Sequence, residues 1–327
     1  MNRRRFLLTS LAGLLSPAVA AVAEKRPRVG FLFPGAPSAP IISSNRAASI
    51  RGLGEEGYRE GENITVEYRY AEAEGLLNAA SELVRLGVDV IVAGGTPATL
   101  AAKRATTTIP IVGANLADPL ADGLVSSLAR PDANITGNTF LAPELGPKRL
   151  QLLLEAVPRV VRIAALQHPG VYSQRTMQNM LKDTEERARA SGVELHTIDA
   201  SDPNDFETAF EAIAKARVGA LIIFPSPMFY VNHRSLVGLA AKHRLPTMWV
   251  FREAVEAGGL MCYGANVPDL ARRAAKYAAR ILRGAKPAEL PIEAPTAFDL
   301  LINLKAARVL SLTIPPSLLA RADQVIE

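Results

Sequence analysis

Short runs of apolar, β-branched residues alternate along this chain with segments in which apolar residues recur every three or four positions. The runs predict strands, and the three-to-four spacing predicts amphipathic helices. Several runs are apolar almost throughout, which is typical of parallel strands covered by helices on both faces. The first half predicts five strands: Val29–Phe33, Ile64–Tyr68, Val88–Ala93, Ile109–Val112 and Ile135–Phe140.

Helical periodicity occupies the segments between these strands. One helix face is marked by a set of residues with three-to-four spacing, namely Leu76, Leu77, Ala80, Leu83 and Val84. Residues 97–105 and 119–129 are also predicted to be helical, as is Asn45–Leu53. Strand and helix therefore alternate, which predicts a parallel, doubly wound sheet.

The same pattern starts again in the second half. It predicts five more strands, Arg162–Leu166, Val193–Ile198, Ala220–Phe224, Thr247–Phe251 and Leu260–Tyr263. Two helices are marked by apolar faces, one by Phe206, Phe210, Ile213 and Ala214, the other by Leu270, Ala274, Tyr277, Ala278 and Ile281. Two sets of five strands favour two similar lobes over one very wide sheet. The predicted fold class is α/β, with two doubly wound parallel-sheet lobes joined by hinge crossings.

The lobe boundaries follow from where the pattern breaks. The helix from Ala142 to Pro158 is the natural first crossing between lobes. We expect the first lobe to contain residues 24–141 plus about 265–297, and the second to contain 142–264 plus about 298–327. Prolines interrupt the C-terminal part around the apolar stretch Phe298–Leu304, which we interpret as chain passing back between the lobes.

The N-terminus predicts export. Arg3, Arg4 and Arg5 precede an uncharged apolar stretch from Leu11 to Val22, and small residues then offer cleavage after Ala20 or Ala23. This order is typical of a secretory signal peptide, residues 1–23, and its Arg-Arg-x-Phe-Leu core resembles a twin-arginine signal. The alternative is a membrane anchor, but the apolar run is shorter than the roughly 20 residues that span a bilayer. We therefore expect a periplasmic protein that does not span the membrane.

Removing the leader changes the charge of the chain. The whole chain has 37 basic and 32 acidic residues, and Arg3–Arg5 are three of the basic ones, so the remainder carries about +2. A nearly neutral surface gives no electrostatic reason to expect nucleic acid as a partner. Cys262 is the only cysteine, so no disulfide forms within the chain. Stability must come from the core, for which about 300 residues suffice.

Helix starts recur after predicted strands. Thr96-Pro97, Asp118-Pro119 and Asp202-Pro203 each pair an N-cap residue type with proline at the first helical position. Ligands of open α/β sheets lie beyond the carboxyl ends of strands, where a helix start offers free N–H groups to a carboxylate. Simple helix caps are the alternative. Thr96 and Asp118 fall on loops of the same predicted lobe, which favours a ligand site there.

The glycine-rich string at Gly52–Gly57 is not interpreted as a dinucleotide site. A nucleotide fingerprint directly follows a strand and opens a helix, whereas these glycines close the predicted helix Asn45–Leu53. We found no nucleophile elbow, zinc-protease motif or cysteine pair, and we expect no cofactor, metal or catalytic residue. His233 and His243 are expected on one exposed helix. His168 follows a predicted strand, where its side chain either lines the cleft or has a structural role in the loop or the core.

Several of the few aromatic residues lie near strand ends of the second lobe. Trp249 and Phe251 are expected in the core. Tyr172, Phe229 and Tyr230 fall on loops or helix starts, where they either wall a pocket for an apolar or aromatic ligand or belong to the core.

The sequence resembles the ABC-transporter substrate-binding family that includes tryptophan- and phenylalanine-binding receptors. The likeness covers nearly all of the chain from Pro27 onward and rests on these stretches: Gly52–Tyr58 with Gly61–Ile64, Gly94–Ala98, Thr106–Val112, Asp118–Val125, Leu128–Pro131, Ile302–Lys305 and Ile314–Asp323. The resemblance implies a type I periplasmic-binding-protein fold, whose two lobes close over a ligand by hinge motion.

The resemblance also implies the site. On the first lobe it suggests Gly95, Thr96, Pro97, Ala98, Asn115 and Asp118. On the second lobe the corresponding loops are His168–Ser173, Phe224–Phe229 and Cys262–Gly264, from which we select His168, Tyr172, Ser226, Phe229 and Tyr263. The loops His168–Tyr172 and Pro225–Pro227 depart from the amino-acid binders, which leaves a different small acid, including an aromatic one, open.

Three functions are compatible with this picture. The first is a periplasmic solute-binding protein that delivers a small organic ligand, an amino acid or an aromatic acid, to the permease subunits of an ABC importer without changing it. The second is an extracytoplasmic sensor that reports the ligand to a membrane signalling partner. The third is an exported hydrolase using serine, histidine and aspartate from the cleft loops, which no local motif supports. We favour the first.

Overall fold

Two separate sheets organise the chain, one of five strands and one of seven. The computed structural model describes residues 26–131 and 133–327, so the expected signal peptide lies outside the described residues. The strands are β1 (Arg28–Pro34), β2 (Thr65–Ala71), β3 (Val90–Gly94), β4 (Ile111–Leu116), β5 (Ile135–Thr139), β6 (Arg162–Gln167), β7 (Glu194–Asp199), β8 (Ala220–Ile223), β9 (Thr247–Trp249), β10 (Met261–Gly264), β11 (Asp299–Asn303) and β12 (Gln324–Ile326).

Helices connect most of these strands. They are α1 (Pro40–Glu55), α2 (Leu76–Arg85), α3 (Gly95–Ala105), α4 (Ala142–Ala156), α5 (Gln174–Ala190), α6 (Phe206–Lys215), α7 (Pro227–Val231), α8 (His233–Lys242), α9 (Arg252–Glu256), α10 (Val267–Leu282), α11 (Leu304–Val309) and α12 (Pro316–Leu319). Short 3-10 turns lie at Ala73–Gly75, Pro203–Asp205 and Pro287–Glu289. All ten predicted strands are present with bounds shifted by a few residues.

The first lobe is built on the five-stranded sheet, whose order is β2-β1-β3-β4-β5 and whose strands are all parallel. Helices α1 and α10 pack together on one face, and α2 and α3 cover the other. Strand β1 illustrates why the strands are apolar throughout. Phe31 and Phe33 pack toward α1 and α10, whereas Leu32 packs toward α2 and α3, so both faces of β1 are buried.

The second lobe is built on the seven-stranded sheet, with the order β12-β11-β10-β9-β8-β6-β7. Helices α4, α5, α11 and α12 lie on one face of it, and α6, α8 and α9 lie on the other. Trp249 is buried in the second of these layers, as expected. The α/β class with two doubly wound lobes is therefore confirmed.

The chain passes between the lobes three times. The first passage joins β5 to α4, the second joins β10 to α10, and the third runs through residues 290–298 to β11. The last passage is tied to both lobes, because Asn138 of β5 bridges to Glu293 and Phe298 stacks on Tyr263 at a centroid distance of 5.8 Å. The cleft between the lobes lies beside these passages.

Two expectations about elements are wrong. Residues 119–129 form turns rather than a helix. The apolar spacing there reflects burial of a loop, because Leu124 and Val125 pack into the first-lobe core. The stretch Phe298–Leu304 does not merely pass between lobes: most of it forms β11, which pairs antiparallel with β10 and parallel with β12. The second sheet therefore gains two strands beyond the five predicted.

The glycine-rich string closes α1, as predicted. Gly57 follows the helix with a φ of 87°, and its N–H bonds back to the carbonyl of Gly54. Gly52 has a packing role, because a Cβ there would lie 2.2 Å from the carbonyl oxygen of Arg272 on α10. This close approach of α1 and α10 explains why a glycine occurs at position 52 inside the helix.

The histidine helix differs from the expectation. His233 opens α8 and is buried, with its Nδ1 atom 2.9 Å from the carbonyl of Tyr230, whereas His243 follows the last residue of the helix and is half-buried. Burial lowers the pKa of His233. Across the described ranges, none of the helices combines the length and apolarity needed to cross a bilayer.

Candidate functional site

A cavity lies between the two lobes, at the carboxyl ends of the strands of the first sheet. It encloses about 760 Å³ of space not filled by protein atoms, counting the part open to solvent. Every described residue that lines it is uncharged: Phe33, Pro34, Ile42, Asn45, Ser49, Val92, Gly94, Gly95, Thr96, Ala114, Asn115, Phe140, Tyr172, Ser226, Pro227, Tyr230, Val231, Phe251, Val267 and Ala271. A largely apolar cleft with a few polar side chains is a typical binding site for a small organic molecule.

The N-terminus of α3 opens into this cavity. The helix begins at Gly95, and no side chain caps its first N–H groups. Gly95 has a φ of 82°, a conformation that favours glycine, so the chain turns sharply from β3 into the helix. Unpaired N–H groups and the positive end of the helix dipole make this position suitable for a carboxylate.

Thr96 is not the N-cap that the sequence suggested. The N-cap is Gly94, and the Thr96 hydroxyl instead accepts a hydrogen bond from the N–H of Ala117 at 3.0 Å. Asp118 likewise caps a turn rather than a helix, accepting from the N–H of Ala121 at 2.9 Å. By contrast, Asp202 caps the 3-10 turn at Pro203–Asp205 through a capping box, as expected. The Thr96 contact ties α3 to the loop after β4.

Buried polar side chains hold Asn115 in position at the end of β4. Asn115 has a φ of 60°, and its N–H donates to Oδ1 of Asn138 at 2.9 Å. Asn138 is itself fixed, because its Nδ2 donates to the carbonyl of Leu270 on α10 at 2.8 Å. Left-handed backbone is uncommon at non-glycine residues, and asparagine adopts it more readily than most. Asn115 lines the cavity, and its Oδ1 atom has no described partner.

Helix α1 contributes two buried polar residues to the same cavity. Asn45 and Ser49 are one turn apart and only 8% and 2% exposed. The Ser49 hydroxyl donates to the carbonyl of Asn45 at 2.9 Å, whereas Oδ1 of Asn45 has no described partner. Asn45 and Asn115, each with a carboxamide oxygen that lacks a described partner, therefore line one cavity. A ligand with N–H or O–H donors would satisfy both.

Aromatic rings from both lobes form the rest of the wall. Phe33 belongs to the first lobe and Tyr172, Tyr230 and Phe251 to the second, and Phe140 lies on the first passage between them. The rings of Tyr230 and Phe251 pack against each other with centroids 4.4 Å apart and an interplanar angle of 60°. Rings on opposite sides of a cleft bury an apolar ligand when the lobes close.

A group of hydrogen bonds joins the lobes beside the cavity. Oδ1 of Asp122, on the first lobe, accepts from the N–H of Ser173 at 3.0 Å and from the hydroxyl of Thr176 at 2.7 Å. The Ser173 hydroxyl donates to the carbonyl of Ala121 at 3.0 Å. Asp122 thus lies at the N-terminus of α5, next to Tyr172 of the cavity wall. We refer to Asp122, Ser173 and Thr176 as the inter-lobe contact.

The structure brings five of the eleven expected site residues to the cavity: Gly95, Thr96, Asn115, Tyr172 and Ser226. The other six do not line it. Ala98 is buried in the first-lobe core and Pro97 lies beside it on α3, whereas Asp118 contacts Asn179 at 3.4 Å. Phe229 packs in the second-lobe core, and Tyr263 stacks on Phe298.

His168 lies behind the wall rather than in it. Its Nδ1 atom is 2.9 Å from the hydroxyl of Ser226, which also accepts from the N–H of Met228 and so caps α7. Burial lowers the pKa of His168. With the imidazole neutral and Nδ1 unprotonated, the Ser226 hydroxyl donates to it. His168 therefore orients a residue that lines the cavity.

Among the aromatic and polar residues of the wall, Phe33, Asn45, Ser49 and Phe140 are not anticipated from the sequence. Phe251 was assigned to the core, yet it lines the cavity. The signal at Asn45 and Ser49 is two polar residues one turn apart on the otherwise apolar face of α1, which includes Ile41, Ile42 and Leu53. Polar residues at buried positions of an apolar helix face indicate that this part of the face borders a binding cavity rather than the core.

Comparison with known proteins identifies the family. The family model described as ABC transporter substrate binding protein matches residues 38–326. The chain belongs to this family. A curated relative of the substrate-binding protein is the tyrosine-binding protein of Clostridioides difficile, 24% identical over 277 residues, which are 84% of this chain and 78% of that protein.

Two solved structures resemble the substrate-binding protein over 92% of the chain. One is a conserved domain protein from Vibrio cholerae, with 27% identity and a TM-score of 0.85, covering 92% of this chain and 100% of that one. The other is an ABC domain from Streptococcus pneumoniae in complex with L-Trp, with 25% identity, a TM-score of 0.84 and the same coverages. The expected type I periplasmic-binding-protein fold is confirmed. Substrate-binding proteins of this family act outside the cytoplasm.

Proposed function

We propose that this substrate-binding protein is a periplasmic receptor that binds an amino acid with an aromatic side chain, or a small aromatic acid, and delivers it unchanged to an ABC permease. The cavity between the lobes carries the proposal, because it combines aromatic rings from both lobes with an uncapped helix N-terminus. The tyrosine-binding relative and the L-Trp complex support the same ligand class.

The polar end of the ligand is assigned to the first lobe. Gly95 and Thr96 start α3, where free N–H groups and the helix dipole stabilise a carboxylate without a cationic side chain. The free Oδ1 atoms of Asn45 and Asn115 accept from an ammonium or amide group. Because the wall is uncharged, it favours a zwitterionic ligand or a ligand whose only charge is one carboxylate.

The apolar end of the ligand is assigned to the ring cluster of Phe33, Phe140, Tyr172, Tyr230 and Phe251. Burying an aromatic side chain away from water contributes roughly 2–3 kcal/mol, and well-oriented ring pairs add about 1 kcal/mol. Because the rings belong to both lobes, this gain is complete only when the lobes close. Ligand binding and closure are thus coupled.

Closure and release require the lobes to move as bodies. We propose that they are residues 24–141 plus about 265–297 and residues 142–264 plus about 298–327, hinged at the three passages. The inter-lobe contact would form on closing and break on opening. The closed shape is then the surface that the permease subunits recognise.

Export is the second part of the proposal. Residues 1–23 are proposed to be a signal peptide read by the twin-arginine route and removed after Ala20 or Ala23. Lysine substitution of both Arg3 and Arg4 should keep the precursor in the cytoplasm, while the wild type reaches the periplasm. Equal export of both forms would contradict the twin-arginine route.

Binding is tested with the purified mature protein. L-tryptophan, L-tyrosine, L-phenylalanine and aromatic acids without an amino group are added separately, and thermal unfolding and calorimetry are followed. We expect a saturable rise in the melting temperature with at least one of them. Recovery of the compound unchanged after incubation is expected; conversion to a product would overturn the receptor proposal, as would the absence of binding across the panel.

A substitution of Asn45 distinguishes a role in ligand binding from a role in the stability of the fold. Asn45→Leu keeps the side-chain size but removes the free acceptor, and it should weaken ligand binding about tenfold, since one unsatisfied hydrogen bond costs about 1–3 kcal/mol. Asn78→Leu is the matched control, because Asn78 is exposed on α2. Equal affinities of the two variants would remove Asn45 from the site.

A further inference from the structure

Tyr230 links the two lobes at the wall of the ligand cavity. It lies on α7 of the second lobe, yet it is buried in a hydrophobic cluster with Phe33 and Ile42 of the first lobe. It also lines the cavity. The Tyr230 hydroxyl donates to Oε1 of Glu253 on α9 at 3.1 Å. This hydrogen bond directs the hydroxyl proton toward a group of the second lobe.

Glu253 lies behind the cavity wall rather than in it. It belongs to the first turn of α9 and is not among the described residues that line the cavity. Burial raises the pKa of Glu253, and burial followed by the nearby Glu253 raises the pKa of Tyr230. The hydroxyl therefore keeps its proton at neutral pH. A carboxyl oxygen of Glu253 accepts that proton in a hydrogen bond whether the carboxyl group is ionised or neutral.

Three further contacts within the second lobe hold Tyr230 in this orientation. Its ring packs against that of Phe251, which lies two residues before Glu253, with centroids 4.4 Å apart. Its N–H donates to the carbonyl of Ser226 at 2.9 Å, and its own carbonyl accepts from Nδ1 of His233 at 2.9 Å. Tyr230 is thus fixed by its own lobe, as the support of a precise binding site requires.

The first-lobe partner of the Tyr230 hydroxyl is Asn45 on α1. Burial raises the pKa of Tyr230, and a side-chain hydrogen bond from Asn45 opposes this effect. A carboxamide can turn either its Nδ2 or its Oδ1 toward a neighbour. Because Glu253 engages the Tyr230 proton, the hydroxyl oxygen can only accept, which selects Nδ2 of Asn45 as its partner. Oδ1 of Asn45 is accordingly the carboxamide atom that lacks a partner among the described residues.

We propose that Glu253 is a positioning residue that acts through the Tyr230 hydroxyl and the Asn45 carboxamide to make this side of the cavity a hydrogen-bond acceptor. The inference rests on the proposed function and adds a determinant of its selectivity. A cavity side that accepts favours a ligand with an amino group over the same compound without one. Glu253 thereby sets the selectivity of the cavity although it does not line it.

Removing the Glu253 carboxyl distinguishes a positioning role from a structural one. Without it, the Tyr230 hydroxyl is free to donate to Oδ1 of Asn45 or to a carboxylate of the ligand. The first change removes an acceptor for the amino group, and the second offers a new donor to the acid, so both reduce the selectivity. If Glu253 only stabilised the fold, its loss would weaken the binding of both compounds equally.

The test compares compounds that differ only by the amino group. Calorimetry on the mature protein measures Kd for L-phenylalanine against 3-phenylpropanoate, and for L-tryptophan against indole-3-propanoate. We expect the wild type to prefer the amino compound of at least one pair by about tenfold, since a lost hydrogen bond in a buried site costs about that much. Glu253→Leu should reduce this ratio about fivefold, because the acceptor side is no longer enforced. Glu253→Gln keeps an acceptor oxygen and should retain the ratio.

Two further variants complete the test. Glu256→Leu is the matched control, because Glu256 is exposed on the same helix and pairs with Arg252. It should leave the ratio unchanged. Tyr230→Phe removes the hydroxyl through which Glu253 acts, and it should reduce the ratio as Glu253→Leu does. This variant covers the case in which Glu253→Leu does not fold.

The outcomes separate this inference from the proposed function. Equal weakening of both compounds in Glu253→Leu, or an unchanged ratio in Tyr230→Phe, would overturn the role of Glu253. Wild-type affinities that are equal within each pair, or that favour the acid, would also overturn it, while the receptor function would stand. Binding of neither compound of either pair would overturn the proposed function and this inference with it.

Discussion

Asp122→Asn tests whether the inter-lobe contact contributes to ligand affinity. Asp122 is 8% exposed and places a carboxylate of the first lobe at the N-terminus of α5, a helix of 17 residues in the second. Its Oδ1 accepts from the Ser173 N–H at 3.0 Å and from the Thr176 hydroxyl at 2.7 Å. Asparagine keeps the shape and the acceptor but removes the charge.

The expected magnitude follows from what the charge contributes. A carboxylate at a partly buried helix N-terminus contributes about 1–2 kcal/mol, and hydrogen bonds to a charged group exceed neutral ones by about 1 kcal/mol. The second carboxylate oxygen, Oδ2, has no described partner, so its desolvation offsets part of the gain. We therefore expect Asp122→Asn to cost about 1 kcal/mol of binding free energy if the contact forms only in the closed state, which weakens ligand binding about fivefold.

Calorimetry with whichever aromatic compound raises the melting temperature measures this change. Asp202→Asn is the matched control, because Asp202 caps an exposed turn within the second lobe and touches no first-lobe residue among its described contacts. A lowered unfolding midpoint with an unchanged Kd would refute the reasoning. It would mean that the contact persists when the lobes separate and serves only to stabilise the fold.

Three further predictions concern the stability of the fold. Gly137→Ala should prevent folding or lower the free energy of unfolding by more than about 3 kcal/mol, because the new Cβ would lie 1.9 Å from the carbonyl of Gly113. Gly238 lies on an exposed part of α8, so the control Gly238→Ala should raise the free energy of unfolding by about 0.5–1 kcal/mol. Urea unfolding measures both. Tyr230→Phe should cost about 1–2 kcal/mol, because the hydroxyl donates to Oε1 of Glu253 at 3.1 Å; an unchanged urea midpoint would contradict this. Burial lowers the pKa of both His168 and His233 below the usual value of about 6.5, so the unfolded state binds more protons than the folded state. The free energy of unfolding should therefore fall as the pH drops from 7.5 to 5.5. A variant with asparagine at both positions that shows the same pH dependence would argue against this cause.

The sequence pattern was sufficient for most of the fold. Buried parallel strands are apolar on both faces, as β1 is, and this makes them recognisable without knowledge of their neighbours. β11 was missed as a strand because prolines surround its apolar run and its pairing with β10 depends on a contact made after the chain has returned from the first lobe. The loop at residues 119–129 resembled a helix because buried loop residues can share helical spacing.

The candidate site was predicted only where it follows strand ends. Gly95 and Asn115 are implied by the family resemblance, and both lie at or next to the carboxyl ends of parallel strands, where topology fixes their position at the sheet edge. Asn45 and Ser49 lie on α1, and their place over the cavity depends on how α1 packs against α10 and faces the second lobe. Spacing along the chain carries no information about that packing.

The pairing of α1 with α10 has a consequence for biosynthesis. The outer layer of the first lobe contains Ala274, Ala275 and Tyr277, which are made more than two hundred residues after α1. A nascent chain that ends before residue 267 has α1 but not α10, so the part of this face over β3, β4 and β5 stays uncovered. The lobe that is synthesised first is therefore completed late, and the second sheet must itself await β11 and β12 at the extreme C-terminus.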